Sequence, residues 1–162
     1  MPIPLLREDG WLPEGEHECT ITEIRVTFGD TTGQDRTGKR QRIMTELTAL
    51  LASDVVTEFI DHVFVDGSFV SNKTSPNDVD IVLGMHADGL QSLLFGGLAE
   101  QATSILAKME GKLSERVDGH KLINGFAAEI GDEKYERMRA LFKGDTRQGG
   151  PKVKGVLKVL IR

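Results

Sequence analysis

A single cysteine in 162 residues, Cys19, cannot form an internal disulfide, and the four scattered histidines give no zinc-ligand spacing. Cys19 therefore reads as a small, buried or half-buried residue. Long hydrophobic runs are missing too. No stretch of eighteen apolar residues is present to span a membrane. The opening "MPIPLLREDGW" has no basic leader, no extended apolar segment and no small-residue cleavage site, so the expectation is a cytoplasmic protein with no membrane association. Excess positive charge is absent as well. A formal charge of −5 argues against a general coat for nucleic acid, because nonspecific affinity for phosphate backbones comes from clustered Lys and Arg. One segment departs from that balance: between Lys143 and Arg162 lie six basic residues and the single acid Asp145. That tail either faces phosphates or forms a solvated edge whose lysines discourage aggregation.

Hydrophobic and charged residues, 39% and 28% of the chain, suit one ordinary domain covering residues 1–162. "LPEGEHE" reads as a turn. Thr20 and Glu23 have capping-box spacing, which predicts a short helix ending near Gly29. Ile43, Leu47, Leu50 and Leu51 predict a helix from about Asp35 to Ala52, possibly reaching Phe59, with its basic first half exposed. "HVFVD" and "VDIVLG" are rich in β-branched residues and read as strands. Leu90, Leu93, Leu94, Leu98, Ile105 and Leu106 suggest two helical pieces broken at Gly96-Gly97. "ERVDGHKLI" reads as a third strand, "DEKYERMRALF" as a helix with Tyr135, Met138 and Phe142 inward, and "GVLKVLI" as a last strand. The expected fold class is α/β or α+β, a small mixed sheet flanked by helices.

The chemistry concentrates in "VFVDGSFVSNKTSPNDVDIVLGM". A strand ends at Gly67-Ser68, and after a turn-rich loop the next strand carries Asp78 and Asp80. Carboxylates two residues apart on a strand share a face and repel each other unless a cation intervenes. Glycine lets a backbone approach a bulky anion, and the Ser68 hydroxyl can hold a phosphate oxygen. Magnesium prefers a few carboxylates completed by substrate phosphates.

Gly67-Ser68 followed by Asp78-Val79-Asp80 resembles the signature of the DNA polymerase β-type nucleotidyltransferase superfamily. With "LPEGEHECTITEI" upstream and "RQGGPKVKGVLKV" downstream, the chain is similar to a group of small bacterial and phage proteins placed there, over most of its length. The resemblance implies a nucleotidyltransferase-like fold and transfer of a nucleoside monophosphate from a nucleoside triphosphate such as ATP to a hydroxyl, with Mg2+ or Mn2+. Gly67 and Ser68 would contact the triphosphate, and Asp78 and Asp80 would hold the metal. Asp118 would be the third catalytic and metal-binding carboxylate, although Asp118-Gly119 is equally a turn dipeptide. Lys73, Arg147 and Lys154 would contact nucleotide, the alternatives being a solvated loop lysine and a plain hairpin turn. Asp66 is expected to orient the turn. The acceptor would be an RNA, such as tRNA, or a protein, with a partner protein completing the site. A toxin–antitoxin or phage-defence setting is implied in the same way. Two other readings stay open: a catalytically inactive module binding nucleotide or a partner, and a structural domain whose acidic strand pairs with the basic tail.

Overall fold

The structure is a computed structural model that describes residues 2–29, 33–109, 116–117, 120–144 and 153–161. Its centre is a five-stranded mixed sheet in the order β1 (Gly15–Cys19), β7 (Gly155–Leu160), β2 (Ile60–Asp66), β3 (Val79–Met85) and β6 (Ile123–Glu129). β7, β2 and β3 run antiparallel in turn, while β1 lies parallel to β7 and β6 parallel to β3. Helices α1 (Ile21–Phe28), α2 (Lys39–Leu51), α3 (Asp54–Phe59), α4 (Gly89–Phe95), α5 (Ala99–Met109) and α6 (Glu133–Phe142) surround it. The expected mixed sheet flanked by helices is what is found.

Strand alternation sorts the core into two layers. Val63, Val65, Val79, Ile81 and Leu83 join Ile24, Ile43 and Leu47 of α1 and α2 in the larger cluster. On the opposite face Phe64, Val82, Ala128 and Val156 pack with Tyr135 and Phe142 of α6. His62 belongs to this second face, where its Nε2 lies 2.7 Å from the Tyr135 hydroxyl. Burial of both faces is why β2 and β3 read as near-continuous apolar runs. Cys19 is buried, and desolvation together with nearby Glu23 pushes its thiol up to about 12, which keeps it in the thiol form at neutral pH.

The capping box of α1 is complete. The Glu23 amide donates to Thr20 Oγ1 at 3.1 Å, and the Thr20 amide donates to Glu23 Oε2 at 2.7 Å. The two helical pieces over 89–109, α6 and β7 fall where periodicity places them. Three expectations need correction. The "LPEGEHE" turn gives way at Gly15 to β1, whose partner β7 lies at the far end of the chain and leaves no local signal. α2 begins at Lys39 rather than Asp35, because the Asp35 carboxylate stays outside the helix and accepts the Thr37 and Arg40 amides. Its first two basic residues, Lys39 and Arg40, are buried rather than exposed. "ERVDGHKLI" supplies only a short antiparallel pair, β4 (Arg116–Val117) with β5 (His120–Lys121), and the strand beside β3 is the following β6.

Thr20→Ala removes a side-chain cap from α1 and is expected to cost about 1 kcal/mol in urea denaturation, with an unchanged slope.

Candidate functional site

β2 ends and β3 begins side by side, and their antiparallel register pairs Asp66 with Asp80. The parallel register of β3 and β6 then pairs Asp80 with Asn124. Asp66, Asp80 and Asn124 thus form a row across three strands, on the face that α6 covers further along. Like charges directly opposite one another on paired strands destabilise a sheet. Each carboxylate here has a different answer to that problem.

Asp66 is buried, at 4% exposure, and its Oδ2 takes a 2.7 Å hydrogen bond from Lys154 Nζ, itself 3% exposed. The lysine arrives from the residue before β7, its ammonium 4.6 Å from the centroid of the Trp11 ring. Burial pushes the Asp66 carboxyl up to about 6; Lys154 and the Gly67 amide pull it back, and Asp80 adds to the rise. Asp80 is half-buried and receives a neutral donor, Asn124 Nδ2, at 2.7 Å on Oδ1. Among the described residues, no lysine or arginine forms an ion pair with it.

The second oxygen of Asp80 sits against the Gly67 backbone. A Cβ on Gly67 would lie 2.3 Å from Asp80 Oδ2, and the Gly67 φ of +83° is one that side chains rarely adopt. Glycine is required there for both reasons. A single 3-10 turn, Ser68–Val70, follows, tied by Ser71 Oγ donating to the Ser68 carbonyl at 2.6 Å. Ser68 is half-exposed beside buried Gly67. Asp78 stands immediately before β3 and is also half-exposed.

The rest of the 67–78 loop is held from beneath by the start of α2. Arg40 Nη1 donates to the Phe28 and Phe69 carbonyls at 2.9 and 2.8 Å, Nη2 to those of Ser71 (3.0 Å) and Lys73, and Nε to that of Thr74 (3.3 Å). Thr37 Oγ1 meets Ser75 Oγ at 2.8 Å, and Lys39 Nζ donates to Asn77 Oδ1 at 3.3 Å.

Gly67, Ser68, Asp78 and Asp80 are therefore brought together. Lys154 is brought beneath them, not as an exposed nucleotide contact but as the buried counter-ion of Asp66. Lys73 has an exposed side chain on a cleft of about 310 Å3, lined among others by Phe28, Gln34, Asn72 and Thr74 and by none of the four clustered residues. Asp118 and Arg147 lie outside the described residues. Asn124 was not foreseen: a neutral amide in "INGFAAE" has no signal of its own until the sheet register sets it beside Asp80.

The model for the family of unknown function DUF6932 matches residues 4–160, nearly the whole chain. The chain belongs to this family. No curated protein and no solved structure matches it.

What the site of this DUF6932 protein can hold follows from its donors. Among the described residues no group of three or more His, Cys, Asp or Glu is arranged to bind a metal. Two carboxylates still fit magnesium, which keeps most of its shell as water and substrate phosphate. Asp80 Oδ2 fills the space that a Cβ on Gly67 would take, so the carboxylate packs directly against the backbone of the turn. The residues present thus fit a metal that arrives with its phosphates.

Lys154→Met would leave the Asp66 carboxylate buried without its counter-charge and is expected to cost about 3–5 kcal/mol at pH 7, most of it regained in the Asp66→Asn/Lys154→Met double variant, by chemical denaturation. The pair also has a pH signature. The folded Asp66 carboxyl, near 6, lies above its ordinary 3.8, so the folded state binds the extra proton between those values. Its contribution is most favourable below about pH 4 and is lost as pH rises through about 6, by on the order of 3 kcal/mol. Thermal melts from pH 4 to 7 should show that slope in the wild type and its absence in the double variant.

Proposed function

We propose that this chain is a metal-dependent nucleotidyltransferase. In this reading Gly67-Ser68 would seat the phosphates of a nucleoside triphosphate, and Asp78 and Asp80 would hold Mg2+ or Mn2+. The observation that carries it is the packing of Asp80 Oδ2 against the Gly67 backbone, which sets a carboxylate directly beside the Gly67-Ser68 turn. An acceptor hydroxyl attacks the α-phosphorus, a new P–O bond forms, and the bond to the pyrophosphate leaving group breaks. The metal, when bound, neutralises charge on the phosphates as pyrophosphate departs. Asn124 orients Asp80 by occupying Oδ1, so that Oδ2 remains for the site. Asp66 with Lys154 fixes the strand end from which the turn springs. Asp118 is proposed as the group that takes the hydroxyl proton. An RNA or protein acceptor, a partner protein and a place in a toxin–antitoxin or phage-defence pair rest on the resemblance alone.

A second reading has an observation of its own. Asn124 puts a neutral amide, not a third carboxylate, on the strand beside Asp80. That favours a module that binds a metal–triphosphate without turning it over.

Incubation of each α-labelled nucleoside triphosphate and Mg2+ with total cellular RNA and protein separates the two. Transferase action predicts label on an acceptor with wild type and at least a hundredfold less with Asp78→Asn/Asp80→Asn. Metal-dependent triphosphate binding without label would support the binding module. Metal-dependent binding that is unchanged in Asp78→Asn and in Asp80→Asn would remove both.

A further inference from the structure

We propose that the first turn of α2, acting through Arg40, is the positioning element of the phosphate-binding loop; the phosphate role rests on the reading above, the loop-shaping role on geometry alone. A guanidinium has five N–H donors. In Arg40 they meet five backbone carbonyls, of Phe28, Phe69, Ser71, Lys73 and Thr74. Four of the five lie within the loop that joins Gly67 to Asp78. The side chain is only 7% exposed, and its Cζ lies 5.5 Å from the centroid of the Phe69 ring, which is itself fully buried. Phe69 is two residues after Gly67. Fixing its carbonyl and ring together fixes the turn that presents Ser68.

The neighbours of Arg40 continue the same grip toward Asp78. Thr37 meets Ser75, and Lys39 reaches Asn77, the residue before Asp78. Asp35 anchors the gripping turn itself. Burial alone would raise its carboxyl, yet hydrogen bonds from Thr37 and the Arg40 amide, with the Arg40 charge, hold it below the usual carboxylate range. A twelve-residue loop has many conformations, and its two functional ends meet productively in few of them. Carbonyls drawn to one planar cation leave the loop a single shape. Lysine has three donors on one nitrogen and cannot reproduce a planar five-point fork.

The test uses the full chain and Arg40→Lys, with amide hydrogen exchange and binding of Mn2+ with ATP measured at a temperature where far-UV circular dichroism shows both folded. The expected result is at least tenfold faster exchange over residues 67–78, unchanged exchange at Val63, Val65, Ile81 and Leu83, and at least tenfold weaker Mn2+–ATP binding. Asp80→Asn, in contrast, should weaken binding while leaving loop exchange alone. Unchanged loop exchange, equal loosening of loop and sheet, or a loosened loop with undiminished affinity would each overturn the proposal. If wild type binds no Mn2+–ATP, the functional reading fails, and loop exchange alone then supports or overturns the shaping role. Should Arg40→Lys not fold, Lys39→Met takes its place: faster exchange confined to residues 75–78 supports the positioning turn, and no change or uniform loosening overturns it.

Discussion

Two acids face each other across adjacent strands, Asp66 on β2 and Asp80 on β3, and the surrounding polar structure answers that repulsion. Water screens the repulsion only in part, because Asp66 is buried while Asp80 is half-buried. The answer comes from both sides and differs in kind. Lys154, next to β7, neutralises Asp66 completely enough for the pair to be buried. Asn124, from β6, gives Asp80 a hydrogen bond and no charge. The asymmetry leaves one carboxylate as a buried strut and the other half-buried, with a neutral amide as its donor. Such a difference between two neighbouring acids is what a cation site needs, because a fully neutralised row would have nothing to offer a metal.

The same asymmetry explains the glycine and the loop. A residue with a side chain at position 67 would collide with Asp80 Oδ2 and part the turn from that carboxylate. The loop that leaves this turn returns to the start of β3 with its carbonyls directed toward Arg40. The buried cation is thus matched to backbone dipoles of the loop. Sheet register, one glycine and one arginine together place the turn, the anion and the loop.

Much of the architecture was legible because it is local. The capping box of α1, the apolar runs of β2 and β3 and the break at Gly96-Gly97 each depend on neighbours in sequence. The association of Gly67-Ser68 with Asp78 and Asp80 was legible for the same reason: twelve residues between two strands that form a hairpin bring their facing ends together. What could not be read depends on partners far along the chain. β1 is a strand because β7 lies beside it, 136 residues or more away. Lys154 looks like one more basic tail residue until β7 pairs with β2 and carries it to Asp66. Arg40 looks solvated because a helix start is normally exposed, and only the packing of the 67–78 loop over α2 reveals five acceptors for it. Asn124 needed the β3–β6 register.

The central claim is the proposed binding of a metal with its phosphates at the Gly67-Ser68 turn and Asp80. Titrating Mn2+ into isotopically labelled protein with ATP and following paramagnetic broadening, residue by residue, tests it most directly. The account predicts that broadening begins at Gly67, Ser68, Asp80 and Asn124, requires ATP for its full effect, and is reversed by excess Mg2+. Broadening that spares these four and falls instead on scattered surface acids, with or without ATP, would contradict it.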